Sequence, residues 1–107
     1  MTGARWYVVR TKPRSESLAA REMARDDIEI FSPLITSDQM NNGQTPVPLF
    51  PGYIFMRLDA ESNGWPSFQS GQHVLGLLNF DGVAPWLPEQ RIDELKLRCD
   101  TLNEVGG

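Results

Sequence analysis

The chain opens on RWYVVRT, Arg5 to Thr11, an aromatic and β-branched run stopped by Lys12-Pro13, which predicts a strand. The period then lengthens. SESLAAREMARD contains no Gly or Pro and predicts a helix from Arg14 or Ser15 to near Asp26. On it Ala19, Ala20, Met23 and Ala24 share one side, and Arg14, Arg21 and Arg25 fall within about 40° of one another on the other. IEIFSPLITSDQM reads as an extended segment broken at Pro33, and Asn41-Asn42-Gly43 marks a turn or the tip of a longer hairpin. The return arm, TPVPLFPGYIFMRLD, loses three amide donors at Pro46, Pro48 and Pro51, so it is irregular up to Tyr53 and regular beyond. There a two-residue period places Ile54, Met56 and Leu58 on one face and Tyr53, Phe55 and Arg57 on the other. A short helix is expected around Trp65 to Gln69, a strand in HVLGLLNF, a loop in DGVAPWLP, and a last helix in PEQRIDELKLRCDTL. In that helix Ile92, Leu95, Cys99 and Leu102 follow the spacing of a buried stripe.

The order β, α, β, β, short α, β, α alternates too irregularly for a doubly wound parallel sheet, so the expected class is α+β, a mostly antiparallel sheet flanked by helices. A chain of 107 residues with 40% apolar residues suits one domain with its own core. No apolar run approaches the ~18 residues of a membrane span, and one cysteine makes no intrachain disulfide, so a soluble cytoplasmic protein without membrane partners is expected. NEVGG, after the last helix, reads as a helix cap followed by a natural terminus or the start of a linker; residues 1–103 then form the domain and 104–107 a tail.

The net charge of −4 hides an asymmetry. The first 25 residues carry six basic and two acidic side chains, the remaining 82 carry four basic and twelve acidic. The molecule therefore has a basic end and an acidic body. Its catalytic repertoire is thin. His73 is the lone histidine and Cys99 sits on the apolar stripe of the last helix, which leaves no nucleophile-base pair and no zinc spacing. The glycines of SGQHVLGLLNFDG do not form a phosphate cradle, and the carboxylate pairs Asp26-Asp27 and Asp93-Glu94 read as a helix end and an exposed face. No enzyme, cofactor or metal is expected, which turns attention to binding. The unexplained feature is the aromatic pair Tyr53 and Phe55, on the face opposite the core-facing residues.

Several segments together resemble the N-terminal domain of the NusG family of transcription elongation factors, including the specialised paralogue RfaH. They are WYVVRTKPRSE opening a helix, FSPLIT after it, PLFPGYIFMRLD, and NFDGVAPWLPEQRIDELK, in an order that covers Trp6 to about Leu102. The Phe-Pro-Gly-Tyr core is the most specific piece. The resemblance implies a four-stranded antiparallel sheet flanked by helices, docked by an apolar pocket on the β′ clamp helices of bacterial RNA polymerase to suppress pausing and termination. Carried over, the pocket residues are Tyr53, Phe55 and Phe80. RfaH brings an aromatic from its first strand to the same pocket; this chain has Arg10 there, suited to carboxylates on the polymerase helices.

The resemblance also lays the first helix near upstream non-template DNA, where Lys12, Arg14, Arg21 and Arg25 meet phosphates, with Gln72 and His73 as further nucleic-acid contacts. Where RfaH reaches the β-subunit gate loop with His-Thr-Thr-Thr, this chain reads Gly64, Trp65, Pro66 and Ser67, so Trp65 is the candidate for a different contact. A complete family member continues into a KOW domain that recruits ribosome or termination factor; this chain stops where the linker to it should start. Two other readings compete. A strand between two layers of its own also needs two apolar faces. A free single-stranded RNA-binding domain would use Tyr53 and Phe55 as stacking platforms.

Overall fold

Alternation along β1 (Arg5–Thr11) decides the architecture, because both of its faces are covered by different layers. A computed structural model of the chain describes residues 4–25, 28–35, 47–59 and 72–106, with side chains as far as residue 100. After β1 come α1 (Glu16–Ala24), β2 (Glu29–Phe31), β3 (Leu34–Ile35), β4 (Val47–Pro48), β5 (Tyr53–Leu58), β6 (Val74–Leu77), β7 (Trp86–Leu87) and α2 (Glu89–Gly106). The main sheet has the order β2-β5-β1-β6, and β7 takes the other half of the β1 edge that β6 occupies. All of its pairings are antiparallel. β3 and β4 form a separate ribbon, Leu34 opposite Pro48 and Ile35 opposite Val47, as a returning arm requires.

Cross-strand partners share a face. Tyr7 and Val9 lie opposite Met56 and Ile54 and form one core with Ala19 and Met23 of α1. Trp6 and Val8 lie opposite Arg57 and Phe55, and here Trp6 and Phe55 close around Ile92 of α2. Each helix thus seals one face. Lys96 adds its ammonium over the rings of Trp6 and Phe31, at 5.4 and 5.5 Å from the centroids.

Several expectations shift. α1 begins at Glu16, not at Arg14, because Arg14 adopts φ 60 and so stands in the turn before the helix. The three-arginine helical stripe is therefore a pair, Arg21 and Arg25, with Arg14 placed by a left-handed residue. Ala24, expected on the apolar side, is exposed, while Glu16 is buried with Ala19 and Met23. β6 is bulged near its start, where Gly76 (φ 140) and a register shift at Arg10/Thr11 interrupt the pairing, and it ends at Leu77, short of the expected Phe80, where β7 takes over the β1 edge at Tyr7 and Trp6 and Phe80 pairs with Val83 instead. The expected loop after Phe80 is ordered pairing: Asp81 and Gly82 both have positive φ and form a type I′ turn closed by Phe80–Val83 hydrogen bonds of 2.9 and 3.0 Å. The expected turn at Asn41-Asn42-Gly43 and the short helix near Trp65 to Gln69 lie outside the described residues.

Candidate interaction surface

The Phe-Pro-Gly-Tyr stretch is a type II turn. Gly52 stands at φ 86, the position that demands glycine, and Tyr53 N–H closes on the Phe50 carbonyl at 3.1 Å. Two long-range bonds fasten it. Gly52 N–H donates to the Glu16 carboxylate at 2.7 Å, and the Gly52 carbonyl accepts from Thr11 N–H at 2.9 Å. This is why a carboxylate is buried in the first turn of α1: it holds the corner from which β5 departs. The turn folds Phe50 back so that its ring meets Phe55 edge-on, centroids 5.8 Å apart, while Phe31 stacks on Phe55 at 6.1 Å.

The sheet face carrying Phe55 therefore changes character along its length. At one end Arg57 is fully engaged, its Nε on Glu89 at the start of α2 and its Nη1 3.6 Å from Glu29. Those partners, Glu89 first, raise the guanidinium pKa further above its ordinary value. In the middle, Phe55 is only 6% exposed, roofed by Phe31 and Phe50 of its own chain. At the other end Tyr53 is 39% exposed and lies directly opposite exposed Arg10. Beyond Arg10, the bulge sets Gly76 opposite it and leaves Leu75 53% exposed. Val74 and Leu77 pack into the α1 core, so the two bulge residues between them belong to the Arg10 face.

Phe80 is 66% exposed at the base of the type I′ turn, directly opposite exposed Val83. Leu78 N–H bonds the Val8 carbonyl at 2.8 Å, so this hairpin leaves the sheet beside β1. Arg10 and Tyr53 are thus brought together, Phe55 comes next along the same face under Phe31 and Phe50, and Phe80 stands on the neighbouring projection. Trp65 lies outside the described residues. Phe50 and Leu75 went unassigned in the sequence. The glycine in VLGL was the signal for the bulge that exposes Leu75.

The basic flank divides in two. Lys12 N–H donates to the His73 carbonyl at 3.0 Å, which sets Lys12, Gln72 and His73 side by side at the end of β1. His73 is further gripped by Glu22 of α1, which accepts from its backbone N–H at 3.2 Å and contacts ring Nδ1. The ring contact is the main cause of the lowered Glu22 pKa. Nε2, the other ring nitrogen, has no hydrogen-bond partner among the described residues. Arg14 and Arg21 lie toward the β3 side of α1, Arg25 caps its C-terminus, and all three are exposed. Cys99 is buried, and burial pushes its thiol pKa up, which suits a core residue and not a nucleophile. No group of three His, Cys, Asp or Glu among the described residues could hold a metal.

An antiparallel sheet sealed by one helix per face, with an aromatic end and a basic flank left open, is built as an interaction domain of the α+β class. The chain belongs to the NusG family: the family model described as Transcription termination factor nusG matches residues 4–96. The match makes it an N-terminal domain of that family, a transcription elongation factor domain whose general partner is RNA polymerase. No curated protein matches the chain. No helix among the described residues is long and apolar enough to cross a membrane.

Proposed function

We propose that the open end of the aromatic face docks on the β′ clamp helices of bacterial RNA polymerase, while the basic flank meets upstream non-template DNA. The observation that carries this reading is the gradient along one sheet face, covered by α2 at Arg57 and open at Tyr53. Tyr53, Phe50 and Leu75 supply apolar contact area, Phe80 adds a second point from its hairpin, and Arg10 pairs with a carboxylate of the clamp helices. Phe55 supports Phe50 from below. Lys12, Arg14, Arg21 and Arg25 contact phosphates, with Gln72 and His73 as further contacts beside them, and Trp65 is the contact assigned to the β gate loop. A domain bound on both sides of the nucleic-acid channel favours the closed clamp by its differential affinity, and so suppresses pausing and promotes read-through in the manner of RfaH.

The test is a titration of the domain against purified core polymerase, with and without a competing clamp-helix peptide. Binding competed by the peptide, and weakened by Tyr53→Ala, is the expected result; binding to polymerase indifferent to both refutes it. The stand-alone RNA reading predicts instead sub-micromolar affinity for free RNA, lost in Tyr53→Ala. With Arg57 committed to two carboxylates and the Lys96 ammonium lying over the rings of Trp6 and Phe31, Arg10 is the cation of that face left for phosphate among the described residues. Free-RNA affinity is therefore expected in the weak non-specific range, roughly 10⁻⁴ to 10⁻⁶ M at physiological salt.

A further inference from the structure

On the side of α1 turned away from His73 the surface is hollowed by two concavities that meet at Ser17 and Leu34, which line both. The larger, about 740 Å³, lies between the first turn of α1, the β3–β4 ribbon and the Pro51-Gly52 corner. The smaller, about 360 Å³, continues along α1 to Ala24 and across to Ile30. Together they make one groove. Its apolar lining comes from Pro13, Ala20, Ile30, Leu34, Pro48 and Pro51. Arg14 and Arg21 stand on its border, both exposed and neither in an ion pair among the described residues. The carboxylate that lines it among the described residues, Glu16, is buried and turned to Gly52 N–H, so the exposed charges that the described lining presents are the two arginines.

Phosphate contact uses the two arginines and leaves the apolar lining without a role. Base stacking needs aromatic platforms, and among the described residues no aromatic side chain lines either hollow. Aliphatic side chains on a chain that also carries carboxylates satisfy both halves of the groove. Arg14 borders the larger hollow and Arg21 the smaller, so one extended chain laid along the groove passes both. We propose that this groove docks an extended acidic segment of a partner protein, its aliphatic side chains on the Leu34–Pro48 lining and its carboxylates on Arg14 and Arg21. Because the same arginines are assigned to DNA above, the partner and DNA exclude each other there, while the Tyr53 end stays free to hold polymerase.

The experiment titrates the isotope-labelled full chain with a synthetic nonapeptide alternating leucine and glutamate, and follows backbone amide resonances. Shifts centred on Ser17, Ala20, Ile30 and Leu34 are expected. Serine in place of the leucines, or lysine in place of the glutamates, abolishes them. Ser17→Trp fills the junction of the two hollows and Arg14→Glu/Arg21→Glu reverses the border charge; each weakens binding by about tenfold or more. Both change exposed residues, and the same spectra report whether the variants are folded. Absence of shifts at those residues up to about 1 mM peptide overturns the proposal. So does affinity unchanged in Ser17→Trp. An oligothymidine strand that shifts the same lining residues and is lost in Ser17→Trp also overturns it, making the groove a nucleic-acid site.

Discussion

Replacing Gly52 by Ala tests how the Phe-Pro-Gly-Tyr corner is held. Gly52 sits at φ 86, and a Cβ built there meets only the Thr11 carbonyl oxygen at 4.0 Å, an ordinary contact. The cost is therefore conformational, on the order of 1–2 kcal/mol for an L-residue held in the left-handed region. Alanine could escape by flipping the Pro51–Gly52 peptide to make a type I turn. That flip turns the residue-52 N–H away from Glu16 Oε2, now 2.7 Å off, and forfeits a charge-assisted bond worth roughly 1.5–3 kcal/mol. The strain is the smaller penalty, so the turn stays and Gly52→Ala costs about 1–2 kcal/mol, a fall in Tm of about 4–8 °C per kcal/mol for a domain near this size. In a Glu16→Ala background nothing holds the peptide plane, the flip becomes free, and the cost of Gly52→Ala shrinks. Urea unfolding followed by the fluorescence of buried Trp6 measures the cycle. Strict additivity of the two substitutions refutes the argument, because it means Glu16 does not fix the turn.

Tyr53→Ala is expected to leave stability nearly unchanged and to weaken polymerase binding by about 2 kcal/mol, whereas Phe55→Ala costs on the order of 3–5 kcal/mol of stability; equal unfolding midpoints for the two variants contradict the placement of Phe55 beneath its neighbours. The lowered pKa of Glu22 means that its His73 contact stabilises the fold above the ordinary glutamate value near 4.3 and is lost as pH falls through the lower folded value. Wild-type stability therefore declines more steeply below about pH 4 than that of Glu22→Gln, and parallel acid unfolding curves count against the contact.

Much of this arrangement was legible in the residues. The two-residue period of YIFMRL separated Ile54, Met56 and Leu58 from Tyr53, Phe55 and Arg57, and the two sets do face different layers. What a period cannot state is how far the covering layer extends. Whether Phe55 and Arg57 are open or roofed depends on where Phe31, Phe50 and Glu89 arrive, at sequence distances of 24, 5 and 32 residues. Arg14 was misplaced on a helical wheel because the wheel assumes helical φ, and a left-handed residue following Pro13 breaks that assumption. Asp81-Gly82 carried a hairpin signal, but without alternating flanks it read as loop. The two-residue β7 is recruited by the edge of β1 and not by any propensity of its own.

The placement of β1 has a consequence for synthesis. It is one of two interior strands, and its second edge is completed only by β6 and β7. Thr11 and Leu87 are about seventy-five residues apart, so at roughly 5–20 residues per second a ribosome makes Trp6 to Val9 wait several seconds for its last partners. During that interval the α1-facing core can begin to assemble with β5 alone, but the edge stays open. The nascent chain thus carries β1 with one edge uncovered throughout that interval, and any slowing of translation between Asp59 and Trp86 prolongs the time in which that strand can pair with the wrong neighbour.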